Sequence, residues 1–80
     1  MIDGNGMAGL LTEVLGDGAT TLERRCQGCG DVNPLGAHRA YEGAAWVLRC
    51  PGCSDLAAVI AERDDLLLVE WAGVLLMPRS

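Results

Sequence analysis

Four cysteines stand in two matching pairs, Cys26-Gln27-Gly28-Cys29 and Cys50-Pro51-Gly52-Cys53, with twenty residues between the pairs. A Cys-x2-Cys spacing lets one tight turn aim two sulfurs at a common point. Two such turns supply four thiolates, the donor set of a closed tetrahedral zinc site. Gly28 and Gly30 give the first turn a permissive backbone, so that amide N–H groups can swing toward the sulfurs, and Pro51-Gly52 does the same in the second. The spacer is long enough for a strand pair that brings the two turns face to face. The expected cofactor is therefore a structural Zn²⁺ ion held by Cys26, Cys29, Cys50 and Cys53. With all four positions filled by protein, no place remains for water or substrate, and Lewis-acid catalysis needs one.

Other uses of four cysteines fit less well. A thioredoxin-like dithiol belongs in a βαβ setting, which the pattern lacks. Disulfides are disfavoured in a reducing cytoplasm. Iron in a rubredoxin-like site would use the same sulfurs. Against it, Ser54 rather than glycine follows the second pair, and the chain has only two tryptophans and one tyrosine for an aromatic shell. An ion with four thiolates carries a charge of about −2, and Arg24, Arg25 and Arg49 stand beside the cysteines. Their plain reading is charge compensation; the sharper one is a small basic patch for a phosphate or an acidic partner. His38 is the single histidine, and with the metal shell complete it falls to a strand-surface or core role. No serine–histidine–acid arrangement and no lysine-bearing glycine loop is present, so no catalytic residue is expected and the protein reads as non-enzymatic.

The elements that must carry the two turns are short. Met7, Leu10, Leu11, Val14 and Leu15 make one apolar stripe at helical spacing, which predicts a helix over 6–16, capped by Asp3 or Asn5 and stopped at Gly16. Thr20 to Arg25 reads as a strand entering the first cysteine pair, and 31–36 as a turn-rich connector. Strands follow over Ala37 to Tyr41 and Ala45 to Arg49 about a Glu42-Gly43 tip. Two more follow over Leu56 to Glu62 and Leu66 to Ala72 about a solvated Arg63-Asp64-Asp65 turn. Gly73 then bends the chain into a last strand, Val74 to Met77. Trp46 and Trp71 read as packing residues. The strands from Leu56 to Ala72 carry apolar residues at consecutive positions, so both faces of the sheet need cover. One helix covers one face; the other is expected to meet the connector, a second copy or a partner protein.

Eighty residues allow one domain, here a helix in 1–19 docked on a ribbon in 20–80. Half the residues are apolar, too many for disorder, yet so short a chain buries a thin core and calls for a staple. Eleven acidic residues against six arginines and no lysine give a net charge of −5, which disfavours nucleic acid as a partner. The start Met1-Ile2-Asp3 lacks the basic character of a signal peptide. The longest apolar run, Leu66 to Pro78, is broken by Glu70 and falls short of the ~20 residues that span a bilayer. The expectation is a cytoplasmic protein with no membrane association.

Around the cysteines, several words are shared with a known group. Asp3-Gly4-Asn5 before a Leu-rich helix, Cys26-Gln27-Gly28-Cys29-Gly30, Leu35-Gly36-Ala37, Tyr41 and Val47-Leu48-Arg49-Cys50-Pro51-Gly52-Cys53 carry the likeness over nearly the whole chain. The sequence resembles a family of short bacterial zinc-ribbon proteins of unknown function. The resemblance implies a zinc ribbon with a rubredoxin-like antiparallel sheet, and a redox enzyme as a candidate partner. The expected function is a protein–protein adaptor or accessory subunit, docking a partner or a second copy through its apolar sheet face. A nucleic-acid-binding ribbon and a rubredoxin-like iron electron carrier are the alternatives.

Overall fold

The computed structural model describes residues 2–79, residues 2 and 3 by their backbone. Among the described residues the chain forms one α-helix and two antiparallel sheets. The larger sheet has the order β1 (Ile2–Asp3), β4 (Arg39–Glu42), β5 (Trp46–Arg49), β6 (Leu56–Arg63), β7 (Leu66–Trp71). The smaller has the order β3 (Val32–Pro34), β2 (Glu23–Arg25), β8 (Val74–Leu76). The molecule is thus small and mostly β, as its short strand patterns require.

The helical stripe forms α1 (Ala8–Leu15), shorter than expected because residues Gly4–Met7 wind as a 3-10 turn. The backbone at Gly4 causes this. Its N–H donates to the His38 carbonyl at 2.7 Å, and a Cβ there would collide with the Leu35 carbonyl, so the segment is pressed flat against its neighbour. No described side chain caps α1, so Asn5 does not serve as expected, and the side chain of Asp3 lies outside the described residues. Gly16 does end the helix, at φ 90°, with its N–H on the Thr12 carbonyl.

Three further stretches differ from the sequence expectation, one of them the start of the Ala37–Tyr41 strand, where Leu35–Ala37 is a 3-10 turn and β4 begins only at Arg39. Residues Ala19–Thr21 form a 3-10 turn in place of the first half of a strand, because Thr21 donates both its N–H and its hydroxyl to the Gly18 carbonyl, at 3.0 and 2.7 Å. The connector at 31–36 contains β3, which pairs in register with β2. Pro34 fits there because β3 is an edge strand, where a missing N–H leaves no ladder bond unmade.

One face of the larger sheet packs under α1. Ala40, Leu48, Ala58 and Ile60 from β4, β5 and β6 are buried against Met7 and Leu11, with Ala19, Leu35 and Ala57 completing the cluster and Trp46, Val69 and Trp71 packed at its margin. Four of these nine buried residues are alanines, so the core is as thin as the chain length implies. The opposite face carries Tyr41, Val47, Val59, Ala61, Leu66 and Leu68, none of which joins the core; Leu66 is 60% exposed and Leu68 44%. The connector does not cover this face.

Arg24 and His38 are fully buried between the sheets. Arg24 Nε donates to the Ala72 carbonyl at 2.7 Å and Nη1 meets His38 Nε2 at 3.3 Å, while His38 Nδ1 meets the Pro34 carbonyl at 2.9 Å. The Pro34 carbonyl requires a proton on Nδ1, so Nε2 is the acceptor for the guanidinium, and His38 is neutral. Burial lowers its pKa, the Pro34 carbonyl opposes that shift, and the Arg24 charge adds to the lowering. Arg24 therefore fastens β2 to the chain beyond β7, and its charge is turned away from the compensating role expected of it.

Candidate metal centre

Each cysteine pair occupies the turn of a hairpin. Cys26 and Cys29 lie between β2 and β3, Cys50 and Cys53 between β5 and β6. The two turns are built alike. Cys26 N–H donates to the Asp31 carbonyl at 2.8 Å and Gly30 N–H to the Cys26 carbonyl at 2.9 Å. In the second turn Cys50 N–H donates to the Asp55 carbonyl at 2.9 Å and Ser54 N–H to the Cys50 carbonyl at 3.0 Å. Gly28 N–H points to Cys26 Sγ at 3.3 Å and Gly52 N–H to Cys50 Sγ at 3.4 Å, as the glycine pattern anticipated. The turns also interlock. A Cβ on Gly28 would strike the Asp55 carboxylate of the other turn, and a Cβ on Gly52 would lie 2.6 Å from the Asp31 carboxylate.

All four sulfurs come together. Cys26 Sγ lies 3.5 Å from Cys53 Sγ, Cys29 Sγ lies 3.7 Å from Cys50 Sγ, and all four fall within 4.8 Å of one another. A disulfide would need a separation of about 2.05 Å. Four thiolates at about 2.3 Å from one ion are separated by about 3.8 Å along each tetrahedral edge. The donor set and its spacing therefore fit a metal ion. Cys26 and Cys50 are buried, and Cys29 and Cys53 face solvent.

Cys26, Cys29 and Cys53 do not release their protons equally. The Cys29 amide, against burial and with help from the Gly28 amide, brings Cys26 down to about 6. On Cys53 the Asp55 amide pulls downward, but burial and the three neighbouring sulfurs outweigh it and push the thiol up to about 12. Cys29 is likewise raised: the Asp31 amide acts downward, while burial and its neighbours Cys50 and Cys26 act upward. Of Cys26, Cys29 and Cys53, Cys26 is thus the thiol that ionises first, and its charge helps to keep protons on the other two. A metal ion replaces those protons.

Ser54 and Arg39 contribute in ways the sequence did not signal. Ser54 takes up a left-handed backbone at φ 67°, matching Gly30 at φ 80°, a conformation that costs a serine on the order of 1 kcal/mol. Two arginines hold it. Arg49 Nη1 donates to the Ser54 carbonyl at 3.1 Å, and Arg39 Nη1 approaches its hydroxyl at 3.5 Å. Arg39 and Arg49 are direct cross-strand partners, so two like charges sit side by side at the thiolate end of the sheet.

With the sulfur cluster established, a family model described as "Family of unknown function (DUF6510)" matches residues 1–79. The chain belongs to this family. No curated protein and no solved structure matches it. The match spans the helix, both cysteine turns and every strand, so the metal centre and the fold belong to one family unit. Among the described residues, no helix is long and apolar enough to cross a membrane.

Proposed function

We propose that the protein is a non-enzymatic zinc-ribbon adaptor: a structural Zn²⁺ ion holds the two hairpins together, and the open face of the larger sheet receives another protein. The carrying observation is that face itself. Tyr41, Val47, Val59, Ala61 and Leu68 form an apolar surface across four strands, and among the described residues none of them joins the core cluster, whereas the other face is sealed by α1. Extended apolar surface on a small protein marks a place where something docks. Zinc is favoured over iron because Trp46 and Trp71 pack on the core cluster, which leaves them unavailable as an aromatic screen for a redox centre. A redox enzyme is one partner this reading accommodates. Nucleic acid suits the chain poorly, since its net charge is −5 and two of its arginines are engaged at Ser54.

The test is photo-crosslinking in living cells, with benzoylphenylalanine in place of Tyr41 and, as control, in place of Glu13 on α1. The adaptor reading expects one protein captured from the Tyr41 site and absent from the Glu13 site. Equal capture from both would refute it. Colour decides the metal: a four-thiolate ferric site is red and a zinc site colourless.

A further inference from the structure

The outer edge of β7 has no neighbour among the described residues, and β7 is unusual as an edge strand. It runs six residues, Leu-Leu-Leu-Val-Glu-Trp, with no proline, lysine or bulge to discourage pairing. Edge strands of soluble proteins normally carry such protection, because open N–H and C=O groups recruit another strand. Ala72 N–H donates inward to the Ala57 carbonyl at 2.9 Å. Backbone direction alternates along a strand, so Leu66, Leu68 and Glu70 also bond inward to β6, and the peptide groups of Leu67, Val69 and Trp71 point outward, unused.

We propose that β7 pairs antiparallel with β7 of a second copy about a two-fold axis through Leu68, joining the two larger sheets into one. Several observations select a second copy. A two-fold axis at Leu68 places Leu67 opposite Val69 of the second copy, so the outward peptide groups meet in hydrogen-bonded pairs. Leu68 faces its own equivalent, in the closer type of pair, with Cα atoms about 4.5 Å apart. The same operation keeps the faces matched, since Leu66 falls opposite Glu70 of the second copy and all four residues lie on the open face. The charges agree as well. Arg63 is the register partner of Leu66 on β6, so Glu70 of the second copy lies two strand spacings from it, about 10 Å between Cα atoms. That is within reach of the two side chains. Arg63 and Glu70 are exposed, and neither has an ion-pair partner among the described residues. The symmetry makes this pair twice. The antiparallel arrangement also sends the acidic groups Glu62, Asp64 and Asp65, near the start of β7, to opposite ends of the seam.

One strand per copy buries less than the roughly 1,600 Å² of a standard interface, so the dimer is expected to be a weak one in equilibrium with monomer. The inference does not depend on what occupies the open face. Sedimentation equilibrium of the metal-loaded protein tests it, with a cobalt absorption spectrum as the check on folding. The wild type is expected to show a monomer–dimer equilibrium. Leu68→Lys changes a solvent-facing side chain and places two cations at the axis, so it should weaken the dimer at least tenfold with the cobalt spectrum unchanged. Arg63→Glu and Glu70→Arg should each weaken the dimer, and the double exchange should restore it. A monomer at every concentration, or a dimer indifferent to Leu68→Lys, would overturn the proposal while leaving the crosslinking result at Tyr41 to stand or fall alone.

Discussion

Replacing Arg24 by methionine asks how much one buried cation holds together. Arg24 is 1% exposed and has no carboxylate partner among the described residues; it is satisfied by the Ala72 carbonyl at 2.7 Å and His38 Nε2 at 3.3 Å, with the Leu56 carbonyl at 3.5 Å as a marginal third. Methionine fills much of the space but leaves those acceptors buried and unpaired. Two charge-assisted hydrogen bonds at about 1.5–3 kcal/mol each give an expected loss of about 3–6 kcal/mol. A chain of 80 residues at about 0.05–0.15 kcal/mol per residue has only some 4–12 kcal/mol in total. The assay is urea unfolding of metal-loaded protein followed by circular dichroism. With a slope of about 1 kcal/mol per molar urea, the midpoint should fall by about 3 M or more. Arg24→Lys keeps the charge but lacks the fork that reaches both acceptors, so its loss should be intermediate. A midpoint shift below about 1 M for Arg24→Met would refute the reasoning, because a buried polar cluster can be worth no more than its apolar replacement.

Acid should expose the same cluster. The His38 pKa is lowered in the fold from its usual 6.5, so the unfolded chain binds the extra proton more readily. Its contribution is present above about pH 6.5 and drains away as pH falls below that. His38→Gln should flatten this part of the stability profile between pH 7.5 and 5.5; equal slopes in the two proteins would count against it. Cys50→Ser removes a fully buried ligand and should abolish tight metal binding and cooperative unfolding, as should exhaustive chelation, since structural zinc supplies on the order of 10 kcal/mol in small domains. Retained near-ultraviolet dichroism after chelation would contradict this. Glycines separate cleanly: Gly9→Ala, where a Cβ meets nothing within 4 Å, should raise the thermal midpoint by the equivalent of about 0.5–1 kcal/mol, while Gly4→Ala, which meets backbone, should yield little folded protein.

The sulfur cluster was legible in the sequence because its information is local: two identical four-residue words specify two identical turns. The stripe of Met7, Leu10 and Leu11, the strands from 39 to 71 and the bend at Gly73 were legible for the same reason. What escaped was set at a distance. Arg24 beside Cys26 reads as compensation for thiolate charge, and only the folded chain brings up a carbonyl from residue 72 to take it instead. The strand at Val32–Pro34 is three residues long and carries a proline, so pairing with β2 alone makes it a strand. Ser54 gave no sign of its left-handed backbone; the matching geometry of the two turns imposes it, and arginines 5 and 15 residues earlier hold it.

The two cysteine turns belong to different sheets, one to β2–β3 and the other to β5–β6. Either hairpin by itself offers half a coordination shell. A bound ion therefore reports neither secondary structure nor collapse but the seating of one layer against the other. Cobalt supplied as the ion and watched during refolding should acquire its tetrahedral spectrum last, as a built-in gauge of when the molecule has closed.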